Sequence, residues 1–111
     1  MESVAVVVLD TLRYDDFTAA FDWLPGRRFT RAFAPSHWTV PVHASLLTGR
    51  YASEVGVHSH APSLDCPSPS LAERLADAGY RTRAFTANPR LDRTGDWNRG
   101  FDEFVEYASL D

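Results

Sequence analysis

The sequence predicts an α/β domain with a mainly parallel sheet and flanking helices. Residues 4–9 form an unbroken apolar run rich in valine, which is typical of a strand buried on both faces of a parallel sheet. Residues 82–87 predict a second buried strand, and a helix signature directly precedes it, as in a βαβ unit. A hydrophobic fraction of 44% with 23% charged residues is ordinary for a globular chain and excludes disorder.

The first third of the chain predicts one weak helix and one short strand. Residues 12–23 are aromatic and acidic, and they predict a helical or turn segment of low regularity. Pro25 and Gly26 indicate a turn. Residues 28–34 then alternate large and small side chains, which predicts a short strand.

A helix is predicted at residues 40–48. Thr39 is its expected N-cap, and Gly49 is its expected C-terminal stop. Pro41 would lie in the first turn, where its missing N–H group costs nothing. Residues 51–69 are rich in glycine and proline, so we expect a loop there.

Ser70 and Glu73 have the spacing of a capping box, which predicts a further helix that ends at Gly79. The apolar stripe expected on this helix comprises Leu71, Leu75 and Ala78. Residues 88–100 predict an irregular, charged loop. Residues 101–107 alternate in polarity and predict a final edge strand.

Charge and cysteine content exclude several classes of protein. The net charge is −4, all eleven basic residues are arginine, and they form no cluster, so neither nucleic acid nor an anionic membrane is an expected partner. Cys66 is the single cysteine, which excludes an internal disulfide and favours a cytoplasmic location. Residues 4–9 are too short for a signal peptide or a membrane span.

Asp10 and Thr39 are the candidate catalytic residues. Asp10 follows the first predicted strand, where ligands of open α/β sheets bind, and it could bind a hard cation or zinc. Thr39 could become a nucleophile if a metal ion lowered the pKa of its hydroxyl, and a helix N-terminus would favour a sulfate or phosphate group there. The residues alone leave two alternatives open: a carboxylate that caps a turn and an ordinary N-cap threonine.

Several segments in order resemble the N-terminal part of the sulfatase family, within the alkaline phosphatase superfamily. Residues 6–13 look like the family's first strand and metal-binding turn, and residues 29–36 look like the strand that leads to the nucleophile. Residues 44–51 match the signature that follows the nucleophile. Residues 71–82 and 100–102 match later segments of the family. Ordered matches along one chain are more specific than any single motif.

Two departures from the family pattern refine what the resemblance implies. Sulfatases that carry formylglycine have Cys or Ser at the first signature position and Arg four places later, whereas this chain has Thr39 and His43. Threonine cannot form that aldehyde, so the resemblance implies the branch of phosphodiesterases and phosphotransferases that uses an unmodified threonine. Thr11 replaces the usual second acid of the metal turn, which leaves Asp10 as the ligand carried over.

The resemblance therefore implies a metal-dependent hydrolase of small sulfate or phosphate esters. Thr39 would attack sulfur or phosphorus, and Asp10 and Thr39 would share one divalent ion, which could be Ca, Zn, Mn or Mg. His43 would contact the substrate anion or the leaving group, with a half-buried, hydrogen-bonded histidine as the open alternative.

Further metal ligands of the family lie later along the chain than this sequence extends. We therefore expect residues 1–111 to form a single, incomplete domain that is inactive alone. It would be completed by a C-terminal half or would self-associate. The alternative is a non-catalytic remnant of a truncated or split gene, so the sequence leaves open whether the chain alone is an enzyme.

The remaining side chains of chemical interest receive simpler interpretations. His58 and His60 have the spacing of a metal pair but are expected to be solvated in their loop. His37 is a possible pocket residue, and Cys66 is interpreted as a loop thiol. For Arg50, binding of an anion and stabilisation of a helix end remain equal alternatives.

Overall fold

The computed structural model describes residues 2–107, and the chain divides into two compact units, Met1–Ala32 and Phe33–Asp111. The first unit contains helix α1, Tyr14–Ala20. The second contains helices α2, Thr39–Thr48, and α3, Leu71–Asp77, followed by strands β1, Arg83–Thr86, and β2, Glu103–Glu106. Short 3₁₀ turns at Ala52–Glu54 and Arg93–Gly95 complete the regular structure of residues 2–107. The predicted α/β class is confirmed.

Strands β1 and β2 pair in parallel, as the sequence predicts. Ala84 lies opposite Phe104, whose ring packs against the core, and Phe85 lies opposite Val105 on the other face. On that second face the rings of Phe85 and Tyr107 stack with centroids 6.4 Å apart, and these two residues are 61% and 57% exposed. The prediction that β1 is buried is therefore wrong, because only one face of this pair is covered.

The strands predicted at residues 4–9 and 28–34 are absent. Residues 4–9 form no strand, and their large apolar side chains are 47 to 78% exposed. Residues 28–34 form none either, and Phe33 is 89% exposed. A β-branched or alternating run favours extended backbone, but it becomes a strand only when a neighbouring segment accepts its N–H groups.

Helix α1 lies within the segment predicted to be helical. Asp15 and Asp16 occupy its first turn, where the helix dipole favours negative charge. The ring of Phe17 stacks on that of Phe21 at 5.2 Å, and the Phe21 carbonyl accepts a 2.8 Å hydrogen bond from Arg28. This bond ties the later loop of the unit back to the helix.

Helix α2 begins one residue earlier than predicted. Trp38 is its N-cap, and Thr39 is its first helical residue, so the prediction of Thr39 as N-cap is wrong. The cap was assigned to Thr39 for its side-chain oxygen, whereas the extended backbone that defines the cap occurs at Trp38, which packs against the core. Gly49 ends the helix as predicted, with φ of +70° and its N–H donating to Ser45.

The core of the second unit lies between α2, the long loop and the segment before β2. Its buried members are Val40, Ala44, Val55, Val57, Leu64, Cys66 and Trp97. The loop predicted at residues 51–69 therefore contributes much of the core, and its thiol is buried. In the part of the chain that the structure describes, no helix is long and apolar enough to cross a membrane.

Helix α3 opens with the predicted capping box. The Ser70 hydroxyl accepts from the Glu73 N–H at 3.1 Å, and the Glu73 carboxylate accepts from the Ser70 N–H at 2.8 Å. The predicted apolar stripe is only partly correct, because Ala72 is the buried residue whereas Leu71 and Ala78 are exposed. The Ala72 side of the helix therefore faces the rest of the unit.

Candidate functional site

Thr39 and His43 lie one turn apart on α2, and both are half-buried. The Nδ1 atom of His43 is 2.8 Å from the carbonyl oxygen of Thr39. Because a carbonyl only accepts, Nδ1 carries the hydrogen, and Nε2 is the nitrogen left for other chemistry. Nε2 can accept a proton when the ring is neutral and can donate one when the ring is charged.

The adjacent face of α2 holds this pair in place. Val40 and Ala44 are fully buried in the core, and Leu47 packs against the same cluster. These positions follow the i, i+4, i+7 pattern of one helix face, so the helix cannot rotate without exposing them. Thr39 and His43 are therefore carried by a rigid element, as a functional pair requires.

The N-terminus of α2 has one feature that favours binding of an anion and one that weakens it. Its first turn carries no acidic residue, so no side chain of that turn neutralises the positive end of the helix dipole. Pro41 lies in that turn and has no N–H group, so the helix offers one amide donor fewer than usual. The field there favours an anion, with a reduced set of hydrogen-bond donors.

Asp10 lies in a sharp turn of the first unit. The Leu12 N–H donates to the Leu9 carbonyl at 3.4 Å, and the Thr11 hydroxyl donates to the Asp10 carbonyl at 2.7 Å. Thr11 has φ of +61°, a strained conformation for a β-branched residue. Asp10 was expected at the mouth of a buried strand, which is wrong, but it does lie beside backbone strain of a kind that clusters at functional sites.

Asp10 and Thr39 belong to different units. The prediction that their side-chain oxygens share one ion, within about 5 Å of each other, stays a prediction. Among residues 2–107, no group of three or more His, Cys, Asp or Glu side chains could hold a metal ion. A divalent ion takes about four or more ligands, so the donor set of these residues does not fit a complete metal site.

The other histidines and Arg50 have simpler surroundings. His58 and His60 are exposed, and His58 Nδ1 accepts the His60 backbone N–H at 3.2 Å. His37 is exposed as well. Arg50 lies 3.8 Å from Glu54 in an exposed ion pair, and this contact was not among its predicted alternatives.

A cavity in the first unit was missed from the sequence. It has a volume of about 250 Å³, and its lining combines aromatic rings with Arg27 and Arg28. The signal in the sequence is the pair of arginines directly after the Pro25–Gly26 turn, of which only Arg28 falls in the strand predicted at residues 28–34.

Comparisons with known proteins give one result. A family model described as Sulfatase matches residues 3–111, which is nearly the whole chain. Searches of curated proteins and of solved structures return no significant match.

Proposed function

Since the chain belongs to the sulfatase family, we propose that it contributes the nucleophile of a hydrolase that acts on small sulfate or phosphate esters. The observation that carries the proposal is the pairing of Thr39 and His43 at the start of α2. Thr39 immediately precedes the stretch that resembles the family signature. A hydroxyl at this place adjoins the end of a helix whose field favours an anionic ester.

In the proposed reaction the Thr39 oxygen attacks the sulfur or phosphorus of the ester. A bond forms from that oxygen to sulfur or phosphorus, and the bond to the alcohol oxygen breaks. The hydroxyl proton of Thr39 passes to solvent, and the departing alkoxide takes up a proton from His43 Nε2 or from solvent to become the free alcohol. Water then cleaves the threonine ester, which restores the hydroxyl and releases sulfate, phosphate or, from a phosphodiester, a phosphate monoester.

His43 would act on the leaving group or on the anion. Its Nδ1–H is engaged with the Thr39 carbonyl, which orients the ring and leaves Nε2 available. A protonated Nε2 would donate to the departing oxygen or to an oxygen of the ester anion. Proton donation of this kind contributes roughly 10²- to 10⁴-fold to rate.

Asp10 is proposed as one ligand of a divalent cation, which could be Ca, Zn, Mn or Mg. Its place in a strained turn supports a functional role. Since residues 2–107 do not supply a complete ligand set, the remaining ligands would come from a further polypeptide segment or subunit.

The test compares the chain purified from its native host, with any polypeptide that copurifies, against its Thr39→Ala and Thr39→Ser variants. Aryl sulfate, phosphate monoester and phosphodiester substrates are assayed in the presence of each metal. We expect Thr39→Ala to reduce turnover to the rate of a blank, because no hydroxyl remains. Thr39→Ser should keep part of the rate, because a hydroxyl remains at the same place.

Thr48→Ala serves as the matched control. The Thr48 hydroxyl donates to the Ala44 carbonyl at the other end of α2, so its loss should leave turnover nearly unchanged. If Thr39→Ala hydrolyses esters as fast as the parent chain, Thr39 is not the nucleophile.

A second candidate is a non-catalytic remnant of such an enzyme. The observation that favours it is the lack of a metal-ligand cluster within residues 2–107. The same assay separates the two candidates, since a remnant would show no ester hydrolysis with any metal even in the native preparation.

A further inference from the structure

We propose that the cavity of the first unit binds a small aromatic carboxylate. This inference goes beyond the proposed ester hydrolysis and does not depend on it. The cavity is lined by apolar groups together with two cations: Phe17, Phe29, Leu24, Pro25, Arg27 and Arg28. Every one of these residues belongs to the unit Met1–Ala32.

The size and walls of the cavity suit one aromatic ring. It is a surface pocket with a volume of about 250 Å³, and Phe29 in its wall is 71% exposed, so a bound ring would be partly buried. Two phenylalanine rings and two aliphatic side chains supply the apolar contact that a ring needs. Gly26 also lines the cavity, and a Cβ added there would meet no atom within 4 Å.

The charges of the cavity select an anion. Arg27 makes no hydrogen bond or ion pair with any residue that the structure describes. Arg28 donates to the Phe21 carbonyl at 2.8 Å, and its guanidinium carbon lies 5.6 Å from the centre of the Phe17 ring. A guanidinium has several N–H donors in one plane, so this bond leaves Arg28 able to bind a second acceptor.

The arrangement favours a carboxylate attached to the ring. No acidic residue lines the cavity, so nothing in its wall neutralises the two arginines. A carboxylate is planar and can accept two parallel N–H groups from one guanidinium. The ring would then lie between the phenylalanines, while the carboxylate would face the arginines.

The test is an NMR titration of the whole chain with benzoate, followed at the backbone amides of Gly26 and Arg27. We expect saturable shifts confined to the cavity. Two control ligands are titrated in the same way: acetate, which lacks the ring, and benzyl alcohol, which lacks the charge. Each should bind at least about fivefold more weakly than benzoate. A partly buried ring and an exposed ion pair each contribute only a modest free energy of binding.

Two arginine variants test whether benzoate binds in this cavity. Arg27→Gln should weaken benzoate binding about fivefold, as expected for an exposed charge pair. This variant removes no hydrogen bond or ion pair with the described residues, so its fold should be unchanged. Arg31→Gln makes the same change of charge outside the lining of this cavity and should have little effect.

Three results would overturn the proposal. They are shifts that do not saturate, equal binding of acetate and benzoate, and equal weakening by Arg27→Gln and Arg31→Gln. The first indicates no site, the second an unspecific anion contact, and the third an effect of net charge alone. None of them bears on Thr39, so failure here is distinguishable from failure of the proposed hydrolysis.

Discussion

Glu73 serves two structural roles at once. Its carboxylate closes the capping box of α3 and also accepts a 2.9 Å hydrogen bond from Arg99. Arg99 in turn donates to the carbonyls of Leu64, Cys66 and Ser68, so one guanidinium joins the long loop to the helix. The Ser70 N–H, followed by Arg99, lowers the pKa of Glu73, although partial burial acts in the opposite direction.

This lowered pKa predicts an acid-sensitive stability. A carboxyl group whose pKa is lower in the folded state stabilises the fold above its unfolded pKa, and this contribution is lost as pH falls through the folded pKa. Glu73→Gln should therefore lower the free energy of unfolding at pH 7 by about 1 kcal/mol. The difference from the parent chain should shrink below about pH 5. Urea unfolding between pH 7 and pH 3 measures it.

Glu54→Gln is the control for this prediction. Glu54 and Arg50 are both about half exposed and 3.8 Å apart, so solvent screens their attraction. A Glu73→Gln effect that is independent of pH would show that the carboxylate charge plays no part.

At the scale of elements, glycines fix how α2 ends and how α3 packs. Gly49 ends α2 in the left-handed region, and a Cβ added there would meet no atom within 4 Å. Gly100 has φ of +83° and lies against the first turn of α3, where an added Cβ would be 2.5 Å from the backbone nitrogen of Glu73. Both positions strain an L-residue, but only Gly100 is also crowded.

Alanine substitutions should separate these two effects. Gly49→Ala should lower the free energy of unfolding by about 1 kcal/mol, from left-handed backbone strain alone. Gly100→Ala should cost about 3 kcal/mol, because overpacking against α3 adds to the strain. Chemical denaturation of the two variants measures both values. Equal costs would mean that α3 shifts to accommodate the new methyl group.

At the scale of the whole molecule, the supply of metal ligands decides whether this chain can act alone. Residues 2–107 contain no cluster of three ligands, and the two proposed ligands, Asp10 and Thr39, belong to separate units. A carboxylate and a hydroxyl supply fewer ligands than the four or so that a divalent ion requires. A strong site therefore needs further donors.

We accordingly expect the isolated 111-residue chain to bind zinc, manganese, calcium and magnesium more weakly than about 1 μM, and to hydrolyse no ester. Calorimetric titration of the purified chain with each metal, followed by the ester assay, tests this. Asp10→Ala is the matched variant. Micromolar affinity that disappears in Asp10→Ala, together with hydrolysis, would contradict the expectation and show that the chain is a working enzyme by itself.

Local features of the fold were predictable where neighbouring residues decide them. The capping box of Ser70 and Glu73, the stop at Gly49 and the strands near residues 82–87 and 101–107 all follow from side-chain chemistry or short-range pattern. The prediction failed at residues 4–9 and 28–34, because pairing partners lie outside any local window. It failed by one residue at the start of α2, where Trp38, whose side chain packs against the core, is the N-cap in place of Thr39.

The sequence by itself determined the family, the α/β class and the choice of Thr39, His43 and Asp10 as candidates, because motifs and periodicity are properties of short segments. Only the tertiary structure decided that Arg99 donates to the Leu64 and Cys66 carbonyls and that a loop thiol, Cys66, belongs to the core. It likewise brought Arg27 and Arg28 together with Phe17 around one cavity. The physical reason is that burial and hydrogen-bond partners depend on which distant segments meet, and no local pattern specifies that.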